Sequence, residues 1–255
     1  MSHTYDSEFM DYTAHSSRHS ARTIATVVRR WLPATSVLDV GCARGTWLDE
    51  WRRAGSADIF GVDGDYVKPA QLLIPPANFR AADLSQPIAL GRRFDLVQSL
   101  EVAEHVPASA ADTFVQNLVD HATGAILFSA APPGQGGEFH VNEQPYGYWR
   151  EKFRGHGYAP YDCVRPAIAN DPAISFWYRY NVLLYLTDER GAALPEAVRT
   201  TRVSDGAEIP DISPPAFRAR KALVRALPLG LQLALARLKA RLGAMRSRAA
   251  GTASR

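Results

Sequence analysis

The sequence predicts an α/β protein in which helices cover both faces of a mostly parallel sheet. Short apolar runs alternate with amphipathic helical runs along the first half of the chain, and this alternation is typical of doubly wound sheets. The first apolar run ends at Gly41, where a strand can pass into a tight turn. Five strands are predicted in this part of the chain, at residues 36–40, 58–62, 79–84, 94–100 and 124–130.

The second half of the sequence predicts a different end to the sheet. Residues 158–164 and the end of residues 177–186 have strand character, and a non-helical stretch joins them. We therefore expect a hairpin-like end, giving seven strands of which the last is antiparallel. Helices are predicted where apolar residues recur at helical spacing, at residues 20–31, 46–54, 108–121 and 145–156.

Composition and charge exclude several classes of protein. Of the 255 residues, 46% are hydrophobic and 22% are charged, as in packed globular proteins. The net charge is +3, but residues 215–255 contain ten Lys/Arg and no acid, whereas residues 1–214 contain 19 Lys/Arg and 26 Asp/Glu. The main part of the chain is therefore acidic, which argues against a domain that grips nucleic-acid phosphates.

The sequence favours a cytoplasmic location. No run reaches the roughly 18–20 apolar residues of a membrane-spanning helix, and the polar first residues show no secretory signal. Cys42 and Cys163 are not spaced as a disulfide framework or a thiolate metal site, so a reducing compartment is expected.

The most informative motif is the loop after the first strand, in the segment VLDVGCARGTW at residues 37–47. Gly41 and Gly45 allow a tight turn and a close approach of the backbone to a ligand. Their G-x-x-x-G spacing differs from the dinucleotide pattern, and no Gly-Lys-Ser/Thr follows as in a phosphate loop. Asp39 in front of the loop suits a ligand that bears an ammonium group. The alternative is a tight strand-to-helix turn without a ligand.

Two further acids follow the next two predicted strands. Asp63 closes the second strand, where a carboxylate can accept hydrogen bonds from both ribose hydroxyls. Asp83 closes the third strand, where it can accept a hydrogen bond from an adenine amino group. Either acid alone could cap a helix or a turn, but three acids at three successive strand ends indicate a nucleoside-type ligand.

The segments VLDVGCARG, GVDGD, AADL and FDLVQSLEVAEHV together resemble the ordered motifs of class I S-adenosylmethionine (SAM)-dependent methyltransferases, which have a Rossmann-like fold. Ala43 stands where the family pattern has a third glycine. The resemblance implies that SAM is the cofactor, with Asp39 near its ammonium group. The residues implied to bind it are Asp39, Gly41, Cys42, Ala43, Gly45, Asp63, Gly64, Ala82, Asp83, Leu84, Ser99 and Leu100.

A narrower resemblance extends beyond the cofactor motifs. Segments at residues 9–21, 128–137, 140–144 and 177–181 are similar to bacterial methyltransferases of polysaccharide and secondary-metabolite pathways. This resemblance implies a small-molecule or glycan acceptor, most simply a hydroxyl of a sugar or a glycosylated metabolite, and it leaves N-methylation open.

Three regions are predicted along the chain. Residues 1–34 would form a helical lid or cap over the cofactor, as in related methyltransferases, and residues 35–188 the SAM-binding domain. Residues 189–255 would form a linker and a basic amphipathic tail with helical leucine spacing over residues 217–242. Such a tail can make peripheral contact with an anionic membrane or pack on the domain or a partner. The sequence does not determine the oligomeric state.

The candidate catalytic residues follow the fourth and fifth strands. On a helical turn, Glu101, Glu104 and His105 would share one face, and His140 follows the fifth strand. This set could bind Mg²⁺, and it resembles the magnesium-binding turn of ubiquinone-pathway O-methyltransferases and small-RNA 2′-O-methyltransferases. Alternatively, His140 or His105 acts as a general base without a metal, or the segment merely starts a helix.

The acceptor side and the overall function follow from these assignments. Residues 132–137 are predicted as an acceptor-side loop, and Asn142, Glu143 and Gln144 either contact a hydroxylated substrate or cap the next helix. The sequence thus predicts O-methylation of a hydroxyl. RNA 2′-O-methylation and a non-catalytic SAM-binding regulator are the alternatives.

Overall fold

The computed structural model describes residues 7–227 and Leu231, with the backbone alone for residues 7–16. Its centre is a seven-stranded sheet in the order β3-β2-β1-β4-β5-β7-β6. The strands are β1 (Ser36–Val40), β2 (Asp58–Asp63), β3 (Phe79–Ala81), β4 (Leu96–Leu100), β5 (Ala125–Ser129), β6 (Tyr158–Tyr161) and β7 (Leu183–Thr187). The predicted fold class is confirmed.

One strand runs against the others. Strands β1 to β5 pair in parallel, whereas β7 pairs antiparallel to both β5 and β6. The carboxyl ends of β1 to β5 therefore meet at one edge of the sheet. The strand order reverses between β1 and β4, and open α/β sheets bind ligands in the crevice at such a point.

The described α-helices lie before β1, between the strands and beyond β7. They are α1 (Ser7–Trp31), α2 (Thr46–Arg53), α3 (Ala111–His121), α4 (Tyr146–Arg154), α5 (Val164–Ile168), α6 (Phe176–Asn181), α7 (Asp188–Ala192), α8 (Glu196–Arg199) and α9 (Pro215–Arg225). Two apolar cores, one on each face of the sheet, hold them. Trp51 of α2 is fully buried in one core and Phe114 of α3 in the other, as a doubly wound sheet requires.

The predicted hairpin between the last two strands is wrong in its connection. Helices α5 and α6 lie between β6 and β7, so the two strands are antiparallel neighbours without being joined by a turn. The aromatic run before β7 forms α6 because its side chains find partners there. The Tyr178 ring meets Trp47 edge-on at 5.0 Å, and its hydroxyl lies 3.2 Å from Ser17 Oγ.

The first helix is longer than the sequence predicts. Helix α1 begins at Ser7, and its buried Ile24 and Val28 pack in the core, as expected from their spacing. Arg18 and Arg22 form ion pairs with the buried Glu50 of α2 at 2.9 and 3.0 Å, which fixes α1 on α2. The first six residues lie outside the described part of the chain, and the lid stays a prediction.

The segment predicted as a linker packs on the domain instead. It contains α7 and α8, and Val198 in α8 is fully buried. Arg150 of α4 donates hydrogen bonds to the backbone oxygens of Ser204, at 2.7 Å, and of Ala207. The polar, glycine-rich composition did not predict this packing. Much of the segment is held by hydrogen bonds to its backbone carbonyls rather than by apolar side chains.

Residues 201–203 run along the outer edge of β6. Val203 N–H donates to Pro160 O at 2.9 Å, Asp162 N–H donates to Thr201 O at 3.0 Å, and Tyr161 forms an antiparallel bridge with Arg202. At the opposite edge of the sheet, β3 is only three residues long.

The C-terminal region is described as far as Leu227, with Leu231 beyond it. Helix α9 covers the start of the predicted amphipathic helix, and the rest of residues 217–242 lies outside the described residues except for Leu231. Among the described residues, no helix is long and apolar enough to cross a bilayer.

Candidate functional site

The loop between β1 and α2 is built from left-handed backbone. Gly41, Ala43 and Gly45 have φ angles of +89°, +48° and +82°. At Gly41 a Cβ would also collide with Val102, lying 2.6 Å from Cγ1 and closer still to Cγ2. Only glycine therefore fits at position 41, and this contact places the turn after β4 directly against the loop.

Ala43 adopts a conformation that glycine favours. The family that the sequence resembles has a glycine at this position. The positive φ explains that glycine, because a left-handed conformation costs a residue with a Cβ about 1–2 kcal/mol. The loop keeps this shape because Ala43 N–H donates to Asp63 Oδ2 at 2.6 Å. The carboxylate at the end of β2 thus anchors the loop after β1.

Asp39 and Asp63 lie where the sequence predicts, on adjacent strands at the carboxyl edge of the sheet, the candidate ligand edge. Each is 3% exposed. Asp63 Oδ1 accepts hydrogen bonds from Gly64 N–H at 2.7 Å and from the Tyr66 hydroxyl. Burial raises the pKa of Asp39 to about 7, and the nearby charge of Asp63 adds to the shift, while Gln98 opposes it. A cation brought beside Asp39 would offset this desolvation, which fits a ligand with an ammonium group.

Asp83 does not close the third strand, because β3 ends at Ala81. Asp83 is exposed, and its Oδ1 accepts hydrogen bonds from Ser85 N–H at 2.9 Å and Ser85 Oγ at 2.7 Å. The hydroxyl and backbone of Ser85 lower the pKa of Asp83. The carboxylate thus makes a local turn, and its contact with adenine stays a prediction, as do those of its half-buried neighbours Ala82 and Leu84.

Ser99 and Leu100 end β4 beside the loop. Ser99 is fully buried, and its hydroxyl donates to Val40 O at 2.7 Å, so it links β4 to β1. Leu100 is 7% exposed and Cys42 3%, and a Cβ at Gly61 would lie 2.6 Å from Cys42 Sγ. These side chains pack at the carboxyl ends of β1 and β4, and their contact with the cofactor stays a prediction.

The predicted catalytic residues come together in part. Three of them each offer one atom that could bind a metal, and these atoms lie within 4.8 Å of one another. The three residues are Glu104, His105 and His140. The rings of His105 and His140 meet edge-on with centroids 4.8 Å apart. Val141 N–H and Asn142 N–H both donate to Glu104 O, at 2.9 and 3.0 Å, which brings the segment around His140 against the turn after β4.

Glu101 does not share a helical face with this cluster. Its N–H donates to Ser129 O at 3.0 Å, its φ is +57°, and only a single 3₁₀ turn at Ala103–His105 follows. Its carboxylate instead accepts hydrogen bonds from Gln135 Nε2 at 2.7 Å and Asn181 Nδ2 at 3.2 Å. The expected helical face shared by Glu101, Glu104 and His105 does not form, because the chain stays bonded to β5 at Glu101. Whether Glu101 joins the other three as a metal ligand stays a prediction.

The carboxylate of Glu104 is the most unusual group of the site. Glu104 is 1% exposed, and neither carboxylate oxygen has a hydrogen-bond partner of ordinary geometry among the described residues. Burial, followed by the charge of Glu101, raises its pKa well above the ordinary range. A buried carboxylate of this kind requires a proton or a nearby cation. His140 Nε2 lies 4.0 Å from its Oε1.

A buried amide network beside Glu101 was not predicted from the sequence. Asn181 Nδ2 donates to Gln135 Oε1 at 2.9 Å, and the Tyr146 hydroxyl donates to Asn181 Oδ1 at 2.9 Å. All three residues are less than 10% exposed. Two features of the sequence could have indicated this network. Gln135 lies within a glycine-rich loop, and Asn181 precedes an apolar strand. A polar side chain that is buried at such a position needs a hydrogen-bond partner.

Residues 132–137, which the sequence predicts as an acceptor loop, pack against helix α9. A Cβ at Gly134 would lie 3.0 Å from Lys221 C, nearer still to Lys221 O, and 2.8 Å from Arg225 Cγ. Arg220 donates to Gln135 O at 3.2 Å. The start of the basic C-terminal region therefore packs on this loop.

Comparisons with known proteins agree with this geometry. The chain matches the methyltransferase domain family over residues 12–160. No curated protein matches the sequence.

Solved structures share the fold at low sequence identity. The sugar N-methyltransferase KedS8 from Streptoalloteichus is 14% identical with a TM-score of 0.54, over 73% of this chain and 94% of that one. Magnesium protoporphyrin IX methyltransferase from Synechocystis with bound SAM is 18% identical with a TM-score of 0.50, over 73% and 86%. An O-methyltransferase family protein from Burkholderia thailandensis is 14% identical with a TM-score of 0.51. The match covers 70% of this chain and 58% of that one.

The family match covers more than half of the chain, and the strand order, the glycine loop and the buried strand-end acids agree with it. The chain belongs to the methyltransferase domain family and is a class I SAM-dependent methyltransferase.

Proposed function

We propose that this protein transfers the methyl group of SAM to a hydroxyl of a sugar or a glycosylated metabolite. The observation that carries the proposal is the buried carboxylate of Glu104 facing His105 and His140 at the ligand edge of the sheet. A sulfonium methyl is already activated, so the enzyme has to hold donor and acceptor at attack distance and take the hydroxyl proton. The cluster supplies groups for the second task.

The donor belongs in the crevice at the carboxyl ends of β1 and β2. We assign its ammonium group to Asp39 and its ribose hydroxyls to Asp63, whose carboxylates are buried there. The left-handed loop from Gly41 to Gly45 supplies close backbone approach to the methionine portion. The contact of Gly41 with Val102 supports a short path from donor to cluster, since Val102 lies in the same turn as Glu104.

In the metal-free form of the reaction, His140 is the general base. The acceptor oxygen attacks the methyl carbon in line with sulfur, and the carbon–sulfur bond breaks to leave S-adenosylhomocysteine. The hydroxyl proton passes to His140 Nε2, and the carboxylate of Glu104, 4.0 Å away, stabilises the imidazolium that forms. His105 is the alternative base, since its ring lies against that of His140.

In the metal-assisted form, Glu104, His105 and His140 would hold a divalent cation. Bound there, the cation would lower the pKa of the acceptor hydroxyl. The unpartnered carboxylate fits a cation, although ligand atoms up to 4.8 Å apart must approach to about 3–3.5 Å for metal–nitrogen bonds near 2.1 Å. One carboxylate with two imidazoles suits Fe²⁺ or Zn²⁺ better than Mg²⁺, which prefers oxygen ligands.

The choice of a hydroxyl acceptor rests on the same cluster. A neutral amine attacks through its free electron pair, whereas a hydroxyl must lose its proton during attack. A half-buried pair of imidazoles beside the buried carboxylate of Glu104 serves that need. The sugar N-methyltransferase KedS8 shares the fold, which supports a sugar as the acceptor class.

The experiment is methyl transfer from SAM labelled in its methyl group to p-nitrophenyl glycosides, aminoglycosides and a short RNA. We expect label on a glycoside hydroxyl. Labelled amine or RNA products with no labelled hydroxyl would contradict the proposal.

The variant His140→Ala tests the base. We expect the single-turnover rate to fall about 10²–10⁴-fold, as for the loss of a general base, with SAM affinity unchanged. His156→Ala, in the exposed turn that follows α4, is the matched control and should keep the wild-type rate. Full activity of the wild-type protein after treatment with EDTA would exclude the metal-assisted form. General-base catalysis by a histidine would then remain.

A further inference from the structure

Glu143 stands at the junction of the acceptor loop and His140. Its Oε2 accepts a hydrogen bond from Gly134 N–H at 2.7 Å, and its Oε1 accepts one from Gly136 N–H at 2.7 Å. The same Oε1 lies 2.7 Å from His140 Nδ1. Its side chain is 15% exposed, so the contacts are shielded from most of the solvent.

These contacts decide which nitrogen of His140 carries the proton. Glu143 already accepts two backbone N–H groups, and an ionised carboxylate can only accept hydrogen bonds. His140 Nδ1 must therefore donate to it. In the neutral ring the lone pair then lies on Nε2, the nitrogen that faces Glu104.

The loop also limits where the ring can move. A Cβ at Gly137 would lie 2.6 Å from His140 Cδ2 and nearer still to Nε2. The imidazole is thus held by Glu143 at one nitrogen and by the Gly137 backbone beside the other. This is the geometry of a reactive side chain that has been positioned, rather than of a histidine packed on a surface.

Capping of the next helix does not explain Glu143. Helix α4 starts at Tyr146 after Pro145, and no side chain caps it. We propose that Glu143 is a positioning residue for methyl transfer, holding His140 as the Nδ1–H tautomer while it closes the acceptor loop over the ring. The proposal rests on the proposed function, and it applies whether Nε2 takes a proton or binds a cation, because both need that lone pair.

The direct test is nitrogen NMR of the full chain labelled in histidine, with S-adenosylhomocysteine present at pH 8. We expect His140 to show Nδ1–H and an unprotonated Nε2, whereas free histidine at this pH favours Nε2–H. In Glu143→Gln the Nδ1–H signature should be lost. Glu151→Gln, an exposed acid on α4 that pairs with Arg154, should leave it unchanged. A wild-type ring in the Nε2–H or the charged form, or an unchanged signature in Glu143→Gln, would overturn the proposal.

Kinetics provide a second readout that a purely structural role would not move. For histidines that bind a metal, loss of the group that orients the ring costs about 10–100-fold, and a fall of this order is expected here. We expect Glu143→Gln to lower kcat by that factor with SAM affinity unchanged, and Glu143→Asp to restore part of the rate. In the His140→Ala background, Glu143→Gln should cause a much smaller further fall, since its effect on the tautomer acts through that ring. An equal fall in both backgrounds would contradict the proposal.

The two proposals fail separately. The NMR measurement needs no methyl acceptor, and the wild-type spectrum alone gives a result even where Glu143→Gln does not fold. A protein that shows the expected tautomer but methylates no hydroxyl would refute the proposed function and leave the positioning of His140 intact.

Discussion

Replacing Gly41 by alanine should destabilise the protein through two separable effects. The φ of +89° costs a residue with a Cβ about 1–2 kcal/mol. The new methyl also overlaps Val102, 2.6 Å from Cγ1 and closer to Cγ2, and such overpacking costs about 1–3 kcal/mol. Together, Gly41→Ala should lower the free energy of unfolding by about 2–5 kcal/mol. For a chain of this size that corresponds to a fall of roughly 4–20 °C in Tm.

A matched control separates the two effects. Gly91 has a φ of +68°, but nothing lies within 4 Å of where its Cβ would be, so Gly91→Ala should show the backbone cost alone. The double variant Gly41→Ala/Val102→Ala should recover the packing part of the loss. Scanning calorimetry gives the three Tm values, and calorimetric titration gives the affinity for S-adenosylhomocysteine, which only the Gly41 variants should lose. Equal destabilisation at Gly41 and Gly91 would refute the argument from the contact with Val102.

Three further predictions follow from the site. Asp63→Asn should weaken SAM binding by about tenfold or more in calorimetric titration, because one amide oxygen cannot serve the donors of Ala43, Gly64 and Tyr66 on both sides of the carboxylate. Unchanged affinity would contradict this. The raised pKa of Asp39, about 7 in the folded protein, means that the folded state binds a proton more tightly than the unfolded one. The free energy of unfolding should therefore fall between about pH 4 and pH 7, by up to about 4 kcal/mol, and urea unfolding of Asp39→Asn should show a flatter profile. Gly134→Ala should push helix α9 off the acceptor loop, since the new Cβ would overlap Lys221, and hydrogen exchange should rise across Pro215–Arg225. Unchanged protection there would refute the contact.

The sequence predicted the sheet and the donor side of the site because both depend on local pattern. Alternation of strands and helices determines a parallel sheet, and a parallel sheet brings its carboxyl ends together. Asp39 and Asp63 are thus adjacent in space although 24 residues apart in sequence. Ala43 was recognised as a departure from a pattern, but its left-handed φ was not predicted, because alanine gives no signal for it.

The catalytic side was predicted less well because it depends on long-range contacts. Spacing placed Glu101 with Glu104, yet a backbone bond to Ser129 turns Glu101 toward Gln135 and Asn181. No periodicity in the sequence reports a bond of that kind. The polar segment after β7 was predicted as a linker for a related reason. Buried arginines hold it through its backbone carbonyls, and such contacts produce no apolar pattern in the sequence.

The two ends of the sheet have a consequence for association and aggregation. One border strand has only three residues, and the other contains Pro160 and is already paired along its outer side by residues 201–203. Short strands, proline and a covering segment are the means by which proteins prevent intermolecular strand addition. As far as the described residues go, neither border strand favours a continuous sheet across two copies. We therefore expect any self-association of this methyltransferase to use helical or loop surfaces.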